Sequence, residues 1–235
     1  MKKFILALGM LIGLAAMAAG TPAVAGSTLG VVSLIGDSVT YQWGGLGPKT
    51  DISSAEISAW GLDGTVAEAV KAKLGARFTV APVTLALAGR PAPPAGQVPV
   101  PPKLDEVVAA LRQHPLAGAD FYLLVVPDTS PDFIGVTNLK MTGLGIYRRF
   151  SHGIQVYAVG QAVLLDGHSF NVLQRASLRS RSGSPHAHGP IDSDVASQRF
   201  MNKLSDDQKA QVKTALQELL RRSLDFTLQD MNFGG

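Results

Sequence analysis

Apolar residues change their period near residue 140, and no other feature limits so strongly what this chain can fold into. Before that point, short apolar runs alternate with stripes of helical spacing. Leu29 to Ile35 is a run bounded by Gly30 and Gly36 and reads as a buried strand. Val66, Ala69, Val70 and Leu74 form one apolar stripe behind Asp63-Gly64-Thr65, with Gly75 as a stop, so a helix is expected there. Phe78 to Val83 reads as the next strand. Leu104, Val107, Val108 and Leu111 mark a second helix, which His114-Pro115 ends. Gly118-Ala119-Asp120 then turns the chain into Phe121 to Val126, the strongest buried-strand signal of the sequence.

Beyond residue 140 the texture is β-rich. Segments 142–150 and 154–176 are joined by short turns, and Asp166-Gly167 is a hairpin signal from which Ser169 to Ala176 returns antiparallel. The last element is a helix: Ser205 and Gln208 make a capping box, and Val212, Leu216, Leu219 and Leu220 carry a stripe on to Leu224 and Leu228. The order β-α-β-α-β, then a β-meander, then a C-terminal helix predicts an α/β (α+β) fold. Its mixed sheet has helices packed against it and antiparallel hairpins at the edge. Three stretches are expected as loops: 41–51, with four glycines or prolines; 89–102, with six prolines and polyproline character; and 177–194, flexible and rich in Ser, Gly, Pro and His.

Residues 1–25 stand apart from this pattern. Lys2 and Lys3 precede an uncharged apolar run from Phe4 to Ala19. Thr21-Pro22 breaks it, and Ala23-Val24-Ala25 is the small-x-small sequence that signal peptidase accepts. The run is shorter than the ~20 residues of a transmembrane helix. The expectation is a signal peptide cleaved after Ala25, a periplasmic or secreted protein, and one α/β domain over 26–235 with no membrane span after cleavage. With no cysteine in the chain, neither a lipidated cysteine nor a disulfide is available, and the fold rests on its core. Net charge is +3, of which Lys2 and Lys3 supply two, so the remainder carries +1 and gives no ground for a nucleic-acid partner.

Three sets of residues invite a chemical reading. Ile35-Gly36-Asp37-Ser38-Val39 follows an apolar strand and resembles the nucleophile block of the GDSL/SGNH esterases. That resemblance implies Ser38 as nucleophile, with an acid and a histidine to activate it. The family places acid and base as Asp-x-x-His; the nearest match is Asp166-Gly167-His168, one residue short. Its oxyanion asparagine belongs near residue 128, where the chain reads Val126-Pro127-Asp128-Thr129. The competing reading makes Gly36-Asp37-Ser38 the turn that closes the first strand. The second set is His186-Ala187-His188 with Asp192 and Asp194, types that ligate zinc or copper; the glycines and prolines around them favour a solvated loop instead, and no metal is assigned. The third is Asp51, Asp128 and Asp132, read as ordinary loop acids rather than a glycosidase pair. No P-loop, dinucleotide fingerprint or zincin helix is present, so no cofactor is expected.

Residues 63–175 are similar to the α/β domain of bacterial envelope proteins of the CsgG and LpoB kind and of the N-terminal domain of TolB. Three segments carry the likeness: the helix Thr65 to Leu74, the strand after Gly118-Ala119-Asp120, and the hairpin Val163 to Val172. Phe170 stands where that hairpin usually has a turn glycine, and the proline-rich segment has no counterpart. The resemblance implies a non-catalytic periplasmic domain that works by contact with other envelope proteins, with Asp166 and Ser169 as turn residues. A serine esterase built on Ser38, Asp166 and His168 is the alternative.

Overall fold

The computed structural model describes residues 26–44, 50–87, 97–135, 138–149, 153–180, 185–191, 201–231 and 233. In chain order the elements are β1 (Ser27–Ser33), β2 (Ser38–Gly44), β3 (Thr50–Glu56), α1 (Leu62–Leu74), β4 (Phe78–Pro82), α2 (Leu104–Gln113), β5 (Phe121–Pro127), β6 (Thr129–Pro131), β7 (Lys140–Arg149), β8 (Gly153–Asp166), β9 (Val172–Ser177), β10 (Ala187–Pro190) and α3 (Asp206–Asp230). The class is α+β: helices packed on a 10-stranded mixed sheet whose main path runs β3-β2-β7-β8-β5-β1-β4.

Strand β8 is the spine of that sheet. Its residues 153–159 pair antiparallel with β7 and its residues 160–166 with β5, so the two strands lie end to end along it. Asp128 marks the junction: its N–H donates to Val159 O, and its carbonyl accepts from Gly143 N–H. On β8, β10 lines up against the first stretch and β9 against the second. One half of the sheet is therefore β4-β1-β5-β8-β9 and the other β3-β2-β7-β8-β10. At Gly160, where the halves meet, an added Cβ would come within 2.8 Å of Val126 O and 2.9 Å of Ile35 Cδ1. Only glycine fits the crossing.

The two faces of the sheet differ. One face is apolar from end to end. Val31, Leu123, Val125, Ala162 and Leu164 in one half and Val39, Tyr41, Ile146, Val156 and Ala158 in the other belong to a single cluster under α1 and α3. The opposite face is divided. In the β1 half, Val32, Tyr122, Leu124, Val126, Val163 and Leu165 pack under Val107 and Leu111 of α2. In the β2 half, Met141, Tyr147, Tyr157 and Val159 meet Phe133, Ile134 and Leu139 from the β6–β7 connection.

Several expectations change. Residues 41–51 are not one loop: Tyr41–Gly44 complete β2 and Thr50-Asp51 begin β3, with 45–49 outside the described residues. The β-branched and aromatic run Val39-Thr40-Tyr41-Gln42-Trp43 outweighs the glycines that follow. The segment 177–194 contains β10, while 181–184 and 192–194 lie outside the described residues. The β7–β8 hairpin is central, and only β9 and β10 take outer positions beside β8. In the segment 89–102, residues 97–102 are described and belong to no strand or α-helix.

Candidate functional site

The Gly36-Asp37-Ser38 motif folds as a turn between two strands, and its anchor is Asp63 in the first turn of α1. Asp63 Oδ1 accepts from the Ser33 hydroxyl and, at 3.0 Å, from Gly36 N–H. A Cβ at Gly36 would come within 2.9 Å of Asp63 N, so the turn needs glycine to seat against the helix. Burial pushes the Asp63 carboxyl above its ordinary value, against the pull of these hydrogen bonds. Ser38 opens β2, opposite Glu56.

Asp166 ends β8, with His168 in the turn beyond it. Asp166 Oδ1 accepts from Ser169 N (2.7 Å), Ser169 Oγ (2.8 Å) and His168 N (3.1 Å), which holds its carboxyl below the usual value, Ser169 contributing most. It therefore shapes the β8–β9 turn, and His168 is exposed. The turn closes on Phe170, whose φ of 58° is left-handed; its ring stacks on Tyr122 at 5.6 Å, with Arg112 over it at 5.5 Å. In register, Val39 aligns with Leu144 and Ala158, and Asp166 stands eight residues beyond Ala158 on β8, on the order of 25 Å of strand. A nucleophile and its base must lie within about 3 Å. The structure does not bring Ser38, Asp166 and His168 together. His186 is also far from Ser38, since Ala187 and Val39 are three strand spacings apart, about 14 Å.

What the fold does assemble is a polar, aromatic face on the β2 half, opposite α3. One row across the strands reads Ser54, Thr40, Gly145, Tyr157, His188; the next reads Ile52, Gln42, Tyr147, Gln155, Pro190. Thr40, Gln42, Tyr147 and Tyr157 are buried. The Tyr157 ring lies flat over Gly145, where a Cβ would come within 2.1 Å of Tyr157 Cζ. Burial raises the Tyr157 phenol well above its ordinary value. Gln42 Nε2 donates to Lys140 O at 2.6 Å.

Two acids flank this face, Asp128 between β5 and β6 and Asp132 in the β6–β7 connection that caps it. Asp132, 5% exposed, accepts from Gly135 N (2.7 Å), Ile134 N (2.9 Å) and the Tyr147 hydroxyl (3.0 Å). Asp128 accepts from Gln161 Nε2 at 2.6 Å and Thr129 N at 2.8 Å. Neither is the ordinary surface acid expected; Asp51 lies in β3, opposite Trp43. Phe133 reaches under the cap to both histidines, with ring centroids 5.0 Å from His186 and 5.7 Å from His188. The His-x-His pair is therefore not in a solvated loop: His188 lies in β10, His186 immediately precedes it, and both rings pack on Phe133. Burial holds the His186 imidazole below its ordinary value, with Asp128 pulling the other way. Among the described residues no group of three His, Asp or Glu side chains is placed to hold a metal ion, and Asp192 and Asp194 lie outside them. The chemistry of this face is hydrogen bonding and ring packing.

No helix among the described residues is long and apolar enough to cross a membrane. No protein-family model matches the chain, and no curated protein matches it. Among solved structures it is similar to protein XCC0632 from Xanthomonas campestris, of the family model DUF330. That similarity has a TM-score of 0.38 and 13% identity, over 90% of this chain and 86% of the other.

Proposed function

We propose that this chain is an exported, non-catalytic binding or accessory protein of the Gram-negative cell envelope, acting in the periplasm or beyond it by contact with other envelope proteins. The observation that carries the reading is the separation of Ser38 from Asp166 and His168. The one enzyme motif in the sequence ends in a turn clamped by Asp63, and the acid and histidine meant to activate it shape a hairpin at the far end of β8. The leader pattern of residues 1–25 and the likeness of 63–175 to contact-making envelope domains point the same way.

The test is hydrolysis of a short acyl ester by the chain beginning at Gly26, beside its Ser38→Ala variant. The expected result is no turnover above the variant; turnover that the substitution abolishes would make the protein an esterase and end this reading. Export is checked separately, by sequencing the N-terminus of the full chain expressed in a Gram-negative host: Gly26 is expected first.

A further inference from the structure

We infer that residues 97–103 form a preformed polyproline ridge that a partner protein reads with an aromatic-lined groove. The inference deepens the contact reading given above and rests on it. The segment is Gln-Val-Pro-Val-Pro-Pro-Lys, and its exposure repeats every third residue. Gln97, Val100 and Lys103 are exposed, Val98 and Pro101 are half-buried, and on the remaining side Pro99 is half-buried and Pro102 buried. A period of three is that of the polyproline II helix, not of a strand or an α-helix. Lys103, with φ −69° and ψ 140°, has the matching backbone angles. The ridge is thus seated on the body of the protein through Pro99 and Pro102 and runs directly into α2.

Its chemistry selects the mode of recognition. Pro99, Pro101 and Pro102 have no N–H, and the Lys103 N–H faces Glu106 Oε2 at 3.4 Å at the head of α2. Too few donors remain for another strand to add along it. What it offers is Val100-Pro101, an apolar dipeptide on a rigid backbone, with Val100 84% exposed, the most exposed large apolar side chain among the described residues. Grooves lined by parallel aromatic rings accept such dipeptides, and the ordering entropy is small because the helix is already formed.

The experiment titrates the full mature chain, isotope-labelled in its backbone amides and valine methyls, with an isolated WW domain as the aromatic-groove probe. The expected result is shift changes at the Val98 and Val100 methyls and binding weakened about tenfold or more in Val100→Asp. That variant should keep the parent's unfolding midpoint, because the side chain is exposed, and Val172→Asp on β9 should bind like the parent. No shift at Val98 and Val100, or equal binding by Val100→Asp, overturns the ridge. In a chain that hydrolyses no ester, that negative result removes the ridge and leaves the contact reading. Ser38-dependent hydrolysis strikes the contact reading instead, and the ridge then stands or falls by the titration.

Discussion

Gly145 and Asp63 each decide more than their size suggests. Gly145 gives up its side chain so that Tyr157 can lie across β7, and the strand is otherwise filled by Leu144, Ile146 and Tyr147. Gly145→Ala drives a methyl into a buried ring and should cost about 1–3 kcal/mol or more, as overpacking does. Denaturant unfolding of Gly145→Ala, Tyr157→Leu and the double variant checks the cause: the double variant should be well short of additive, and strict additivity would place the damage elsewhere. Asp63 makes a pH-dependent prediction. Its folded pKa is raised, so the native state binds the proton more tightly than the unfolded chain, and stability falls as pH rises from the unfolded value of 3.8 through the folded one. Asn at this position keeps the oxygen that accepts from Ser33 and Gly36 but does not titrate. The stability difference between Asp63→Asn and the parent should therefore grow in favour of Asn across that window and then level off. Asp63→Ala should instead lose about 1–3 kcal/mol at every pH, because the Ser33 hydroxyl and Gly36 N–H lose their acceptor. Chemical denaturation of the three chains from about pH 3 to pH 7 tests both statements.

At the scale of elements, β10 is the most instructive. It is short, rich in Gly and Pro, and extended because β8 offers it an edge from Gln155 to Ala158. His186, immediately before it, is held below its ordinary value of 6.5 by burial. A lowered histidine contributes stability that is present above the unfolded pKa and lost as pH falls through the folded one. The protein should lose stability from about pH 6.5 downward, and His186→Phe, which keeps a ring against Phe133, should flatten that loss. An unchanged pH profile in the variant would show that His186 does not carry it. The same strand shows where sequence reasoning stops. Local patterns sufficed for α1, α2, β5 and α3, whose apolar stripes, capping box and uninterrupted apolar run do not depend on a neighbour. They missed β10 and β2–β3, where partner strands decide the conformation and the glycines and prolines mislead. Of the candidate residues, Asp166 was legible as a turn residue because turn chemistry is local. That Ser38 and His168 part company follows from the register of β8, and register is set by pairing across the whole sheet.

At the scale of the molecule, two sheet halves share one strand and one long helix, and that arrangement predicts how the fold opens. The 25 residues of α3 span about 37 Å, enough to touch β8, β9 and β10 and to lie along α1. Under it the apolar cluster is continuous from Leu123 and Val125 to Ile146 and Val156. On the opposite face the clusters under α2 and under the β6–β7 connection are separate. Loss of α3 should therefore expose both halves at once, whereas α2 or the β6–β7 connection can leave without the rest. Leu219 is fully buried in the shared cluster, and Leu219→Ala should cost about 2–5 kcal/mol. Native-state hydrogen exchange gives the readout. The amides of Val125 in β5 and Ile146 in β7 should lose protection by the same amount in Leu219→Ala, because both report the one global opening. The amide of Leu111 in α2 should change less, since it also exchanges through a smaller, local one. If β5 and β7 instead lose protection by amounts more than about 1 kcal/mol apart, the halves open independently, and β8 joins two cooperative units rather than running through one.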